Sequence, residues 1–145
     1  MNDLTSMQAL LRAYRDLSEC IVERIAWRDF GTTVAITFRY IWKEDGRLRG
    51  RDDERLWVEL TFKLVQEFHL RNSLTPQVAE DPSVIDWGRT EVAWVQILED
   101  ESSMKYDGYP LPFFHAEVRW EGRTWMDIVF AELEVCERAD TSAPA

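Results

Sequence analysis

Near the start of the chain, apolar residues recur every three or four positions: Leu4, Met7, Leu10, Leu11, Tyr14 and Leu17, with Gln8, Arg12 and Arg15 on the other side. That period predicts an amphipathic helix over residues 4–17, capped by Asn2 or Asp3. The period then shortens to two. Ile21, Glu23, Ile25 and Trp27 alternate with Val22, Arg24, Ala26 and Arg28 until Asp29-Phe30-Gly31 supplies turn residues, which predicts the first arm of a hairpin. The second arm alternates most cleanly, with Val34, Ile36, Phe38, Tyr40 and Trp42 against Thr33, Ala35, Thr37, Arg39 and Ile41.

Residues 43–54 contain a single apolar residue, Leu48, and two glycines, the composition of a long exposed connection. Alternation resumes with Leu56, Val58, Leu60, Phe62 and Leu64 facing inward, and continues past a bend through Phe68 and Leu70. Residues 72–89, with Pro76, Pro82 and Gly88, are irregular. Val92, Trp94, Gln96 and Leu98 mark a further strand, and Phe114, Ala116, Val118 and Trp120 open a last hairpin that turns at Glu121-Gly122-Arg123. From Thr124 to Cys136 the chain is apolar on both faces, which predicts one central strand. The small, polar segment 138–145 reads as a frayed tail, leaving 1–137 as one domain. The expected class is α+β, mostly β: an N-terminal helix packed on a curved antiparallel sheet or sandwich of about six or seven strands.

Seven Trp and seven Phe in 145 residues supply a core without disulfide or metal staples. The net charge of −10 narrows the partners. The densest basic stretch, Arg47, Arg49, Arg51 and Arg55, is broken by Asp45, Asp52, Asp53 and Glu54, so neither nucleic acid nor an anionic membrane is expected as a ligand. A basic protein partner fits the charge better. The opening Met1-Asn2-Asp3-Leu4-Thr5 has no signal-peptide pattern, no apolar run reaches membrane-spanning length, and the expected address is cytoplasmic. Cys20 and Cys136 are far apart and form no C-x-x-C; they read as two small buried hydrophobes on the first and last strands in a reducing compartment.

Candidate chemistry centres on the two histidines. Each has a carboxylate two residues away, in Glu67-x-His69 and His115-x-Glu117, and residues two apart on a strand share a face. Were the two strands neighbours, Glu67, His69, His115 and Glu117 would form a donor set for a divalent metal and the basis of a metal-assisted or small-molecule site. Against that reading, the chain has no H-E-x-x-H, zinc-deaminase, G-x-S-x-G, P-loop or Rossmann pattern. No cofactor is therefore expected, and a non-enzymatic chain is the leading expectation. Trp57 and Trp125 fall opposite the inward faces, and Trp87, Tyr106 and Tyr109 lie in or beside loops. With Asp45, Asp52, Asp53 and Glu54, the loop aromatics make a candidate partner-binding surface. A homodimer through a sheet edge is compatible with each reading.

Three segments carry a resemblance: a short helix leading into Leu17-Ser18-Glu19-Cys20-Ile21-Val22-Glu23-Arg24-Ile25, the strand Leu56-Trp57-Val58-Glu59-Leu60-Thr61-Phe62, and the closing Ile128-Val129-Phe130-Ala131-Glu132-Leu133-Glu134-Val135. In this plan the chain resembles small acidic immunity-type proteins of bacterial toxin systems, with Glu19-Cys20 standing where those proteins often carry a His-Asp pair. The resemblance implies a catalytically inert cytoplasmic protein that neutralises a basic toxin domain by occlusion.

Overall fold

The computed structural model describes residues 1–43, 46, 56–71, 91–99, 112–121 and 124–139. Helix α1 (Leu4–Ala13) starts at Asp3, whose carboxylate accepts a hydrogen bond from the Ser6 amide at 2.8 Å, and it buries Met7 and Leu11. It ends four residues before the periodicity does. Arg15, Asp16 and Leu17 take left-handed backbone angles, φ 56°, 54° and 55°, each costing an L-residue about 1–2 kcal/mol. The turn delivers Leu17 into the core, fully buried, and that burial, worth about 1.5–3 kcal/mol, offsets part of the cost. The Tyr14 hydroxyl donates to Glu137 Oε2 at 2.5 Å, while its ring packs edge-on against Tyr40.

Among the described residues eight strands follow: β1 (Ile21–Arg28), β2 (Thr33–Tyr40), β3 (Leu56–Lys63), β4 (Glu67–Arg71), β5 (Val92–Glu99), β6 (Phe114–Trp120), β7 (Trp125–Phe130) and β8 (Glu132–Ala139). They form two four-stranded antiparallel sheets, ordered β1-β2-β3-β8 and β4-β7-β6-β5. Two crossings join the sheets, β3 to β4 through Leu64-Val65-Gln66 and β7 to β8 through Ala131. The crossings are laced together: the Ala131 amide donates to the Lys63 carbonyl at 3.1 Å, and the Gln66 amide to the Val129 carbonyl at 2.8 Å. A second tie links the terminal strands β1 and β5, where the Val92 amide donates to the Cys20 carbonyl at 2.7 Å. Between the sheets lies the core, with Ile36, Phe38, Leu60 and Phe62 from one and Ile97, Met126, Ile128 and Phe130 from the other. Phe62 and Phe130 meet edge-to-face at 4.9 Å. Helix α1 lies along β5, and Gln8 Nε2 donates to the Ile97 carbonyl at 3.0 Å, capping part of that sheet edge.

The α+β, mostly β class is thus the class found, with local corrections. A bulge between Val22 and Arg24 shifts the register of β1, so Val22 packs against the core and Ile21 pairs with the outward-facing Arg39. A second bulge between Val92 and Trp94 turns Val95 and Ile97 inward and leaves Trp94, Gln96 and Leu98 outside. The segment 124–136, expected as one central strand, is two strands in different sheets, because Ala131 is an extra residue at the crossing. Cys20 is buried as expected, but Cys136 is exposed, lying opposite Glu59 on the outer face of the first sheet. Strand β8 also carries pairing two residues into the expected tail, with Arg138 opposite Trp57 and Ala139 opposite Leu56.

Candidate functional site

The outer face of the second sheet follows from its register. Because Ala116, Val118 and Trp120 of β6 and Met126, Ile128 and Phe130 of β7 point into the core, the residues between them point out. One cross-strand row reads Arg71, Trp125, Arg119, Trp94. Arg71 lies 5.3 Å from the Trp125 ring centre, and Arg119 lies 4.9 Å from Trp125 and 5.7 Å from Trp94, so cations and aromatic faces alternate across all four strands. The next row reads His69, Asp127, Glu117, Gln96. The row after it places His115 opposite Val129 on β7 and Leu98 on β5.

Within these rows, three side chains converge. His115 Nε2 lies 2.9 Å from Asp127 Oδ1, Glu117 is the register partner of Asp127, and one donor atom from each of the three lies within 4.8 Å of the others. All three are partly exposed, with side chains 27%, 23% and 20% accessible for His115, Asp127 and Glu117. Arg119 Nε is 3.9 Å from Glu117 Oε2, too long for a hydrogen bond.

The expected set of Glu67, His69, His115 and Glu117 divides here. Strand β7 separates β4 from β6, which at normal spacing holds the two strands about 9–10 Å apart. His69 faces Asp127 across β4 and β7 and lies 3.9 Å from Glu67 Oε2, while His115 and Glu117 meet Asp127 instead. Nothing in the sequence around Asp127 marks it as a partner of these residues; the strand order β4-β7-β6 supplies it.

No family model and no curated protein matches the chain. In structure it is similar to a solved chain titled "Crystal structure of an uncharacterized protein from Neisseria gonorrhoeae", at 8% sequence identity and a TM-score of 0.49, over 81% of this chain and 90% of that one.

Asp45, Asp52, Asp53, Glu54, Trp87, Tyr106 and Tyr109, the expected partner-binding set, lie outside the described residues. Of the two outward tryptophans, Trp125 is half-buried in the Arg–Trp row, and Trp57 is 4% exposed on the outer face of the first sheet. A different aromatic feature stands out at the β1–β2 turn. Phe30 is fully exposed at φ 57°, between Asp29 at φ 51° and Gly31 at φ 83°. Nearby on β1, Trp27 is 48% exposed and touches Phe68 of β4 edge-on at 4.9 Å. Ile25 of β1 and Leu70 of β4, each two residues from that contact along its strand, are exposed too, so apolar side chains flank the Trp27–Phe68 pair between β1 and β4. The sequence carried a weak signal for Phe30: an aromatic residue inside a turn tripeptide that otherwise favours Asp and Gly.

No helix among the described residues is long and apolar enough to cross a membrane. Cys20 is unsuited to act as a nucleophile, since burial pushes its thiol up to about 12 and disfavours the reactive thiolate.

Proposed function

We propose that this chain is a non-enzymatic, cytoplasmic protein-binding domain of the immunity type, which inhibits a basic partner by covering its surface. The observation that carries the reading is Phe30. A phenylalanine in the left-handed region is strained by about 1–2 kcal/mol, and at full exposure it recovers none of that by packing within its own chain. Glycine or asparagine would make the same turn with less strain. An aromatic side chain held there, three residues from the exposed Trp27, is suited to filling a pocket on another protein. The net charge of −10 favours a basic partner and speeds its encounter at low salt.

The test is site-specific photo-crosslinking in cells making the chain at native level, with a benzophenone amino acid at position 30 and, as control, at the exposed Arg12 of α1. The expected result is a light-dependent adduct with a basic polypeptide from position 30 alone, abolished by Trp27→Ala. No adduct at position 30, or equal adducts from both positions, defeats the proposal.

A further inference from the structure

We propose that His115, Glu117 and Asp127 form a binding site for one divalent transition-metal ion of the zinc class on the outer face of the second sheet. Glu117 and Asp127 are register partners on adjacent strands, on one face. Like charges directly opposed across a ladder destabilise a sheet, so the pairing calls for a cation between them. The neighbouring guanidinium meets this only in part, as a long ion pair to Glu117. Arg119 is engaged by the rings of Trp125 and Trp94, and its Nε stays 3.9 Å from Glu117.

Donor spacing supplies the second argument. Metal–nitrogen and metal–oxygen bonds to zinc are about 2.0–2.2 Å, so two donors at right angles on one ion stand about 3 Å apart and two tetrahedral donors somewhat further. His115 Nε2 and Asp127 Oδ1 share a 2.9 Å hydrogen bond, so an ion would displace its proton with little change in the spacing of the two donors. A Glu117 oxygen, within 4.8 Å of both, reaches the third position by rotating about its own side-chain bonds, because each outward side chain here is partly open to solvent. The backbone holds the three together: His115 and Glu117 are two apart on β6, and Asp127 is fixed opposite Glu117 on the inner strand β7, which is paired on both sides. One imidazole and two carboxylates suit Zn²⁺ and its first-row neighbours better than soft Cu⁺ or an all-oxygen Ca²⁺ shell. Three protein donors leave the remaining coordination positions facing solvent. His69, opposite Asp127 from the other side, lies outside the set.

Calorimetric titration of chelator-treated protein with ZnCl₂ tests this, with Co²⁺ absorption reporting the ligand field. The expected result is one site per chain, weakened more than about 100-fold by His115→Ala and by Asp127→Asn, beyond what losing an outer-shell partner costs, and unchanged in His69→Ala. The d–d bands of the Co²⁺ form should disappear in the same two variants. Melting curves in EDTA establish that each variant is folded, and His115→Gln replaces His115→Ala if that variant is not. Absence of stoichiometric binding, binding that survives both ligand variants, or equal loss in His69→Ala would overturn the assignment.

Discussion

Replacing Tyr14 by Phe isolates one bond that fastens the end of α1 to β8. Burial first, then the hydrogen bond to Glu137 and the charge of that carboxylate, push the Tyr14 phenol from its ordinary 10.0 up to about 12. A displacement of that size corresponds to about 2.7 kcal/mol at about 1.36 kcal/mol per pH unit. The hydroxyl–carboxylate pair is at the surface, where solvent screening reduces such interactions, so about 1 kcal/mol is the working value. The folded state favours the protonated phenol. Its contribution is therefore complete below the unfolded value near 10 and is lost as pH rises through about 12. Tyr14→Phe keeps the ring against Tyr40 and removes only the hydroxyl. It should cost about 1 kcal/mol at neutral pH, or about 3–5 °C in Tm for a chain of this length. Urea unfolding of both proteins from about pH 7 to about pH 12 should show the two stabilities converging over the top two units. Equal stabilities at neutral pH, or a gap that persists undiminished to pH 12, would refute the reasoning.

Two further predictions concern the cysteines and the crossing between sheets. With Cys20 buried and its thiol pushed up to about 12, and Cys136 exposed, a thiol reagent at neutral pH should label one cysteine in native protein and two in denaturant, with peptide mapping placing the native label on Cys136. Ala131→Leu should destabilise by about 1–3 kcal/mol: Ala131 is 1% exposed and packs with Phe113, Val129 and Leu64, so the added carbons have no free volume. A midpoint in urea equal to the parent's would show that the crossing yields.

Much of the fold was legible because the large apolar residues of β2 and β3 alternate, Val34 to Tyr40 and Leu56 to Phe62, and all of them are buried, although Thr33, Ala35, Thr37, Trp57 and Thr61 on the other face are buried too. Where reading failed, parity had changed. At Val22–Arg24 and Val92–Trp94 a bulge inverts the strand, and at each place apolar residues stand on both parities, Ile21 beside Val22 and Trp94 beside Val95, so hydropathy cannot locate the slip. Ala131 acts in the same way: Met126, Ile128 and Phe130 point inward before it and Leu133 after it, and a chain apolar on both parities looks like one central strand. The candidate metal donors show the same division. His115-x-Glu117 was visible as strand spacing within a single segment, whereas Asp127 joins them through strand order, a long-range property that no local pattern encodes. At the β1–β2 turn, Asp29-Phe30-Gly31 was recognisable, but the exposure of Phe30 depends on what surrounds the turn in space.

The paired crossings bear on how the chain is made in the cell. Leu56 pairs with Ala139 and Lys63 with Glu132, partners separated by about half the polypeptide. The segment that carries β7 and β8 supplies an inner strand of one sheet and a terminal strand of the other, and it follows the other six strands in the chain. Until that segment has been made, the flanks of β3, β4 and β6 that it will cover lack their partner. Neither sheet is complete until this segment has been made, so the architecture favours closing the two sheets together over building them strand by strand during synthesis. The slow closure expected of such distant pairings also makes this interval the time when the nascent chain most needs a holding chaperone.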